Sequence, residues 1–242
     1  MTGITATGSV TYVSDGTVEN TITYTTGAAF REENYKITKI PGQLSITQSS
    51  NAIVITTASR SREYNGKKLL DDQTTHTGTL AEGDRLVVEF PADAGLTDVG
   101  TKRNEYKSYR VERSDGADVT ANYTFGEPVI GTLTVTPVAI ELTANSAAKA
   151  YDGTPLTDSG YTYTGKLADG EEVLAGVTVV GSQTLEGSSA NKITGHTLKS
   201  NTKAQNYNIT YADGTLTVSK NEKVITVTAN SRTWEYDGKE HS

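Results

Sequence analysis

At 242 residues and 25.8 kDa the chain is long enough for one large domain or for two to three small ones. Its 29 acidic against 22 basic side chains give a net charge of -7, so no basic stripe is available to neutralise phosphates, and nucleic acid is not an expected partner. The absence of Cys excludes disulfides, thiolate metal sites and Cys nucleophiles together.

No apolar stretch approaches the ~20 residues of a membrane span, so membrane insertion is not expected either. Thr occupies 40 positions, near a sixth of the chain. Its β-branched side chain fits a pleated strand better than a helix, and its hydroxyl suits the wet face of a sheet, so an all-β fold is expected.

In chain order, the first landmark is Asn34-Tyr35, followed by an alternating strand at 43–47. The same pair recurs as Asn122-Tyr123 and Asn206-Tyr207, each again before a strand, at 132–136 and 215–219. Out of phase with these, Tyr64-Asn65-Gly66 recurs as Tyr151-Asp152-Gly153 and Tyr236-Asp237-Gly238, each behind a similar strand: 54–59, 140–145 and 225–230. A Gly-x-x-x-Asn turn keeps the same period (Gly16 with Asn20, Gly100 with Asn104, Gly187 with Asn191), and 78–84 matches 165–171. One period of about 85 residues held at five landmarks is the signature of a tandem array. The layout is the C-terminal part of a repeat (1–49), two full repeats (50–136 and 137–219) and the N-terminal part of another (220–242). The chain reads as an excerpt from a longer array.

Within 137–219 seven strands are predicted: 140–145, 149–151, 161–167, 173–184, 192–199, 207–211 and 215–220. Strict alternation at Ile225-Thr226-Val227-Thr228 and Leu216-Thr217-Val218 marks half-buried strands, and Ala212-Asp213-Gly214 reads as a tight hairpin turn. No 3.6-residue period of useful length occurs, so any helix is short. Seven short strands in 85 residues predict tandem immunoglobulin-like β-sandwich modules arranged end to end, with a β-grasp-like module as the alternative. The joins at Thr136-Pro137 and 219–222 are short and not Gly/Ser-rich, so a stiff rod is expected, in which each repeat has the neighbouring repeats of the same chain as its partners.

The order Ile-x-Val-x-Ala-Asn, Tyr-Asp-Gly, then Asn-Tyr-Asn-Ile-Thr-Tyr-x-Asp-Gly-Thr-Leu-Thr-Val resembles the YDG/MBG-type tandem repeat modules of bacterial, Gram-positive-like, cell-surface and adhesin proteins. Residues 137–219 carry it best. Residues 50–136 depart from it at Asn65 and at Phe125-Gly126-Glu127-Pro128. The resemblance implies extracellular, non-enzymatic modules that act as stalks or adhesive segments, with signal and anchor outside this stretch.

Chemistry-bearing constellations are sparse. His76, His196 and His241 do not fall at equivalent repeat positions, and no G-x-S-x-G, H-E-x-x-H or phosphate-loop motif occurs, so no catalytic residue and no cofactor is expected. Calcium is a possible ligand of the acidic turns at 71–72, 169–172 and 213, although none has a D-x-D-x-D-G loop. A Lys–Asn crosslink would need matching lysines, and Lys149 and Lys192 have none in 50–136. The recurring Tyr residues suit either a buried corner or an aromatic platform for sugar, and one structural place for each favours the corner. Trp234, in the incomplete repeat, is read as either packed or left exposed. The reading is a spacer presenting a distal adhesive or catalytic domain. The alternative is repeats that themselves bind host glycans or mucin.

Overall fold

The computed structural model describes residues 1–168 and 172–242. The chain is all-β and sandwich-like, and among the described residues its helices are single 3-10 turns. Two compact units are present, Met1–Pro137 and Val138–Ser242.

The second unit shows the design most simply. Strands β13 (Val138–Ala144), β15 (Tyr161–Thr164) and β18 (Tyr207–Ala212) form one sheet in the order β15-β13-β18, and β14 (Ala147–Ala150), β16 (Leu174–Val180), β17 (Gly187–Leu198) and β19 (Gly214–Ser219) form another in the order β14-β19-β17-β16. Alternation does what the sequence pattern dictates: Val138, Ile140, Leu142 and Ala144 of β13 are buried, as are Leu216 and Val218 of β19, while their neighbours face outward. All seven predicted strands of this repeat are present.

Their connection differs from the expected hairpin. β18 and β19 do not pair: β18 runs parallel to β13, and β19 runs parallel to β14, from Ala147↔Leu216 to Ala150↔Ser219. Residues 212–214 are therefore a corner at which the closing chain changes sheet, and the opening chain changes sheet beside it at 145–146. Val138 faces Tyr207 and Ala150 faces Ser219, the same separation of 69 positions, so the register survives the corner. Opening and closing segments form one continuous parallel ribbon.

The first unit repeats the ribbon. Here β5 (Ser49–Thr57) and β6 (Arg60–Glu63) run parallel to β11 (Tyr123–Phe125) and β12 (Thr132–Thr136). The register slips between Tyr123↔Ser49 and Phe125↔Ile53, next to Phe125-Gly126-Glu127-Pro128, then holds from the Thr56↔Val129 bridge to Thr136↔Glu63. β7 (Thr74–Thr77) extends the first sheet, β9 (Gly100–Arg103) the second, and β8 (Asp84–Glu89) pairs with β10 (Ser108–Arg113). Ile53, Ile55, Val111, Val119 and Tyr123 form the core, with Tyr12, Leu80 and Leu86 packed against it. Residues 1–49 contribute β1 (Thr2–Ala6) paired with β3 (Ile22–Thr25), and β2 (Val18–Asn20) paired with β4 (Gly42–Leu44). They dock through Tyr12, whose hydroxyl accepts from Arg113 at 2.6 Å, and through the Val13 amide, which donates to Asn122 at 2.9 Å.

The strand expected at 225–230 is not formed. Val224, Ile225 and Val227 are 85–91% exposed, and no described strand pairs with them. Alternation marks a strand's faces but supplies no partner.

Candidate functional site

The two recurring motifs occupy the two ends of the ribbon. Tyr-Asx-Gly lies at the exit end, where the amide of Tyr64 donates to the Thr136 carbonyl (2.9 Å) and that of Tyr151 to Ser219 (2.8 Å). Asn65, Asp152 and Asp237 each accept with Oδ1 from the amide two residues on, at 3.1, 2.9 and 3.0 Å. These are Asx turns, and the glycines complete them with φ of +75°, +84° and +74° at Gly66, Gly153 and Gly238, a conformation costly for any residue bearing a Cβ. Tyr64 is buried, Tyr151 is 38% exposed and Tyr236 is 99% exposed.

A cation supports the turn in both full repeats. Lys149 Nζ lies 2.8 Å from Asp152 Oδ1 and donates to the Thr154 carbonyl at 2.8 Å. Arg62, also two residues before its Tyr, reaches the equivalent Lys67 carbonyl. The Lys149 ammonium, with the amide and hydroxyl of Thr154, holds the Asp152 carboxyl well below the usual carboxylate range. Trp234 stands at this position in the last partial repeat and stacks on His241 instead (4.9 Å between ring centres).

Asn-Tyr marks the entry end. In each pair the Asn ends a 3-10 turn and the Tyr follows it: Glu32–Asn34 before Tyr35, Thr120–Asn122 before Tyr123, and Ala204–Asn206 before Tyr207. Tyr123 is buried; its hydroxyl donates to Asp84 at 2.6 Å and accepts from the Ala81 amide at 2.9 Å. Burial, then the bond to Asp84, push the phenol's pKa up. Asp84 in turn receives Arg113 Nε at 3.2 Å. Asn206 and Tyr207 are buried, whereas Tyr35, 63% exposed, stacks on Phe30. Glu171, the counterpart of Asp84, lies outside the described residues.

Between the two ends sits a third recurring group, whose role the sequence reading missed. Asn104 Nδ2 donates to the carbonyls of Ala58 (3.0 Å) and Asp71 (2.8 Å); Asn191 Nδ2 donates to those of Asn145 (2.9 Å) and Asp158 (3.0 Å). Ser59 and Ser146 Oγ accept from the amides of Thr132 and Thr215. Gly131 and Gly214 lie so close that a Cβ on either would stand 2.2 Å from the carbonyl oxygen of Ala58 or Asn145. Gly214 thus serves close approach and has no positive φ. The signal available was the recurrence of Asn, Ser and Gly at one period.

Outside the ribbon, Tyr161 and Tyr163 project from β15, which among the described residues pairs only with β13, beside a groove of about 330 Å³ lined also by Leu167, Val173, Glu172 and Lys199. Both rings are at least 36% exposed. The matching residues of β7 are Thr74 and His76, by register against β5. Asp71 faces Arg60 and Asp213 faces Lys192, and among the described residues no three His, Asp or Glu side chains are placed to hold a metal. Residues 169–171 of the acidic turn lie outside that description. His76, His196 and His241 stay apart, with Thr77, Tyr211 and Asp237 as their respective partners. No described helix is long and apolar enough to cross a membrane.

Compared with protein-family models, curated proteins and solved structures, the chain matches none of them.

Proposed function

We propose that this chain is a run of spacer modules from a bacterial surface protein of the YDG/MBG-type repeat class, holding a distal adhesive or catalytic domain away from the cell. The supporting observation is that each ribbon carries the chain in at Asn-Tyr and out at Tyr-Asx-Gly, at opposite ends of the same ribbon. Thirteen residues at the rise of a strand give the ribbon a length of at most roughly 40 Å between those ends. A module whose ends are opposite lengthens an array with every copy, without enlarging a core. The recurring side chains hold turns and corners, which accords with a non-enzymatic role. Duplicating residues 138–219 within the full chain is expected to lengthen the particle by up to about 40 Å in electron micrographs. A particle that thickens without lengthening contradicts the reading.

A second reading, binding of host glycan or mucin, rests on the Tyr161–Tyr163 face. Two exposed phenol rings on one strand face, flanked by Glu172 and Lys199, offer stacking surface with hydrogen-bonding groups at its edge. Glycan-array signal that disappears in Tyr163→Ala but persists in Tyr236→Ala would favour it; no signal from the full chain excludes it.

A further inference from the structure

We propose that the parallel ribbon makes each module a tension-bearing element: a shear clamp that resists pulling along the array far better than pulling across it. This rests on the spacer reading, since it concerns force delivered through the module's own ends.

The argument follows from strand direction. In the second unit the chain enters at Val138 and leaves at Ser219, and the two segments lie side by side in parallel. Tension drags the opening segment toward the Val138 end and the closing segment toward the Ser219 end. The two segments are pulled past each other along their length, so the bonds of the ribbon are loaded together and none can yield first. Had entry and exit been on an antiparallel hairpin, the same tension would have opened the pairs one after another.

Three features suit this loading. The ladder runs without slip over six partners from Val138↔Tyr207 to Thr143↔Ala212, and over four more from Ala147↔Leu216 to Ala150↔Ser219. The corner between these stretches, the natural weak point, is pinned by Asn191 and by the Ser146–Thr215 bond. At the exit, Tyr151 donates to Ser219 and Asn221 Nδ2 donates back to the Tyr151 carbonyl at 2.9 Å. The first unit repeats the corner with Asn104 and the exit bond with Tyr64 and Thr136.

Because the chain has no Cys, handles can be placed at will for optical-tweezer pulling on the full chain. Pro137→Cys with Lys220→Cys loads the ribbon of the second unit in shear. Pro137→Cys with Ala204→Cys grips one end of the same ribbon and unzips it. Pro155→Cys with Lys220→Cys unzips from the other end, where the Pro155 carbonyl lies 3.5 Å from Lys149 Nζ, and guards against a local effect of one handle. Forced rupture reports the unfolding barrier along the pulled direction, so at equal pulling speed the shear pair is expected to need at least about twice the force of either unzipping pair. Equal forces in all three geometries would overturn the clamp. Scattering from the unpulled variants separates the two ideas: an elongated particle with equal forces removes the clamp and leaves the spacer, whereas a compact particle removes the spacer itself.

Discussion

Asn191 is buried, and its single amide group satisfies two backbone carbonyls from different segments. Removing it strands both carbonyls away from water, at a cost of about 2–4 kcal/mol for Asn191→Ala, against less than about 0.5 kcal/mol for the exposed Asn201→Ala. Urea titration of both variants checks this; equal midpoints would show that the clamp is dispensable. At the exit turn, Asp152 titrates below its unfolded value, so its contribution is present above the ordinary carboxylate range and is lost as pH falls through that range toward the folded value. Asn65 makes the same Asx turn in the first repeat, so Asp152→Asn keeps the geometry while removing the titration. Melting curves are expected to show the parent losing more stability than Asp152→Asn below about pH 4, and parallel acid slopes would contradict the assignment.

At the scale of elements, strand existence was legible within 137–219 and strand partnership was not. β13 and β19 announce themselves through two-residue alternation, because each has one face in the core. Asp213-Gly214 between alternating runs gives the same local signal whether the chain folds back as a hairpin or turns a corner onto another sheet. What decides between them is a close approach to Ala144 and Asn145, some 70 residues earlier, which no local pattern encodes. The recurring Tyr-Asx-Gly and Asn-Tyr sites were found through their period, yet their placement at opposite ends of one ribbon needed the register. The exposed segment after Ser219 follows the same logic: apolar alternation at Val224–Val227 has no partner strand among the described residues, so amide hydrogen exchange there is expected to be fast, while that of β13 is slow. Comparable protection of the two segments would mean that 224–227 finds a partner strand.

At the scale of the molecule, the spacer reading draws stability and length from the same source. Residues 49–136 and 138–219 each close their opening strands onto their closing ones, so each carries its own ribbon, and on the spacer reading an array grows by adding ribbons rather than by deepening a core. The most direct test is small-angle scattering on the full chain, with and without calcium. A globule of 242 residues has a radius of gyration of about 18 Å, whereas the rod that the spacer reading requires would have one of about 28 Å or more. The spacer account predicts the larger value, unchanged by calcium. A value near that of the globule, or a particle that extends only when calcium is added, would contradict it.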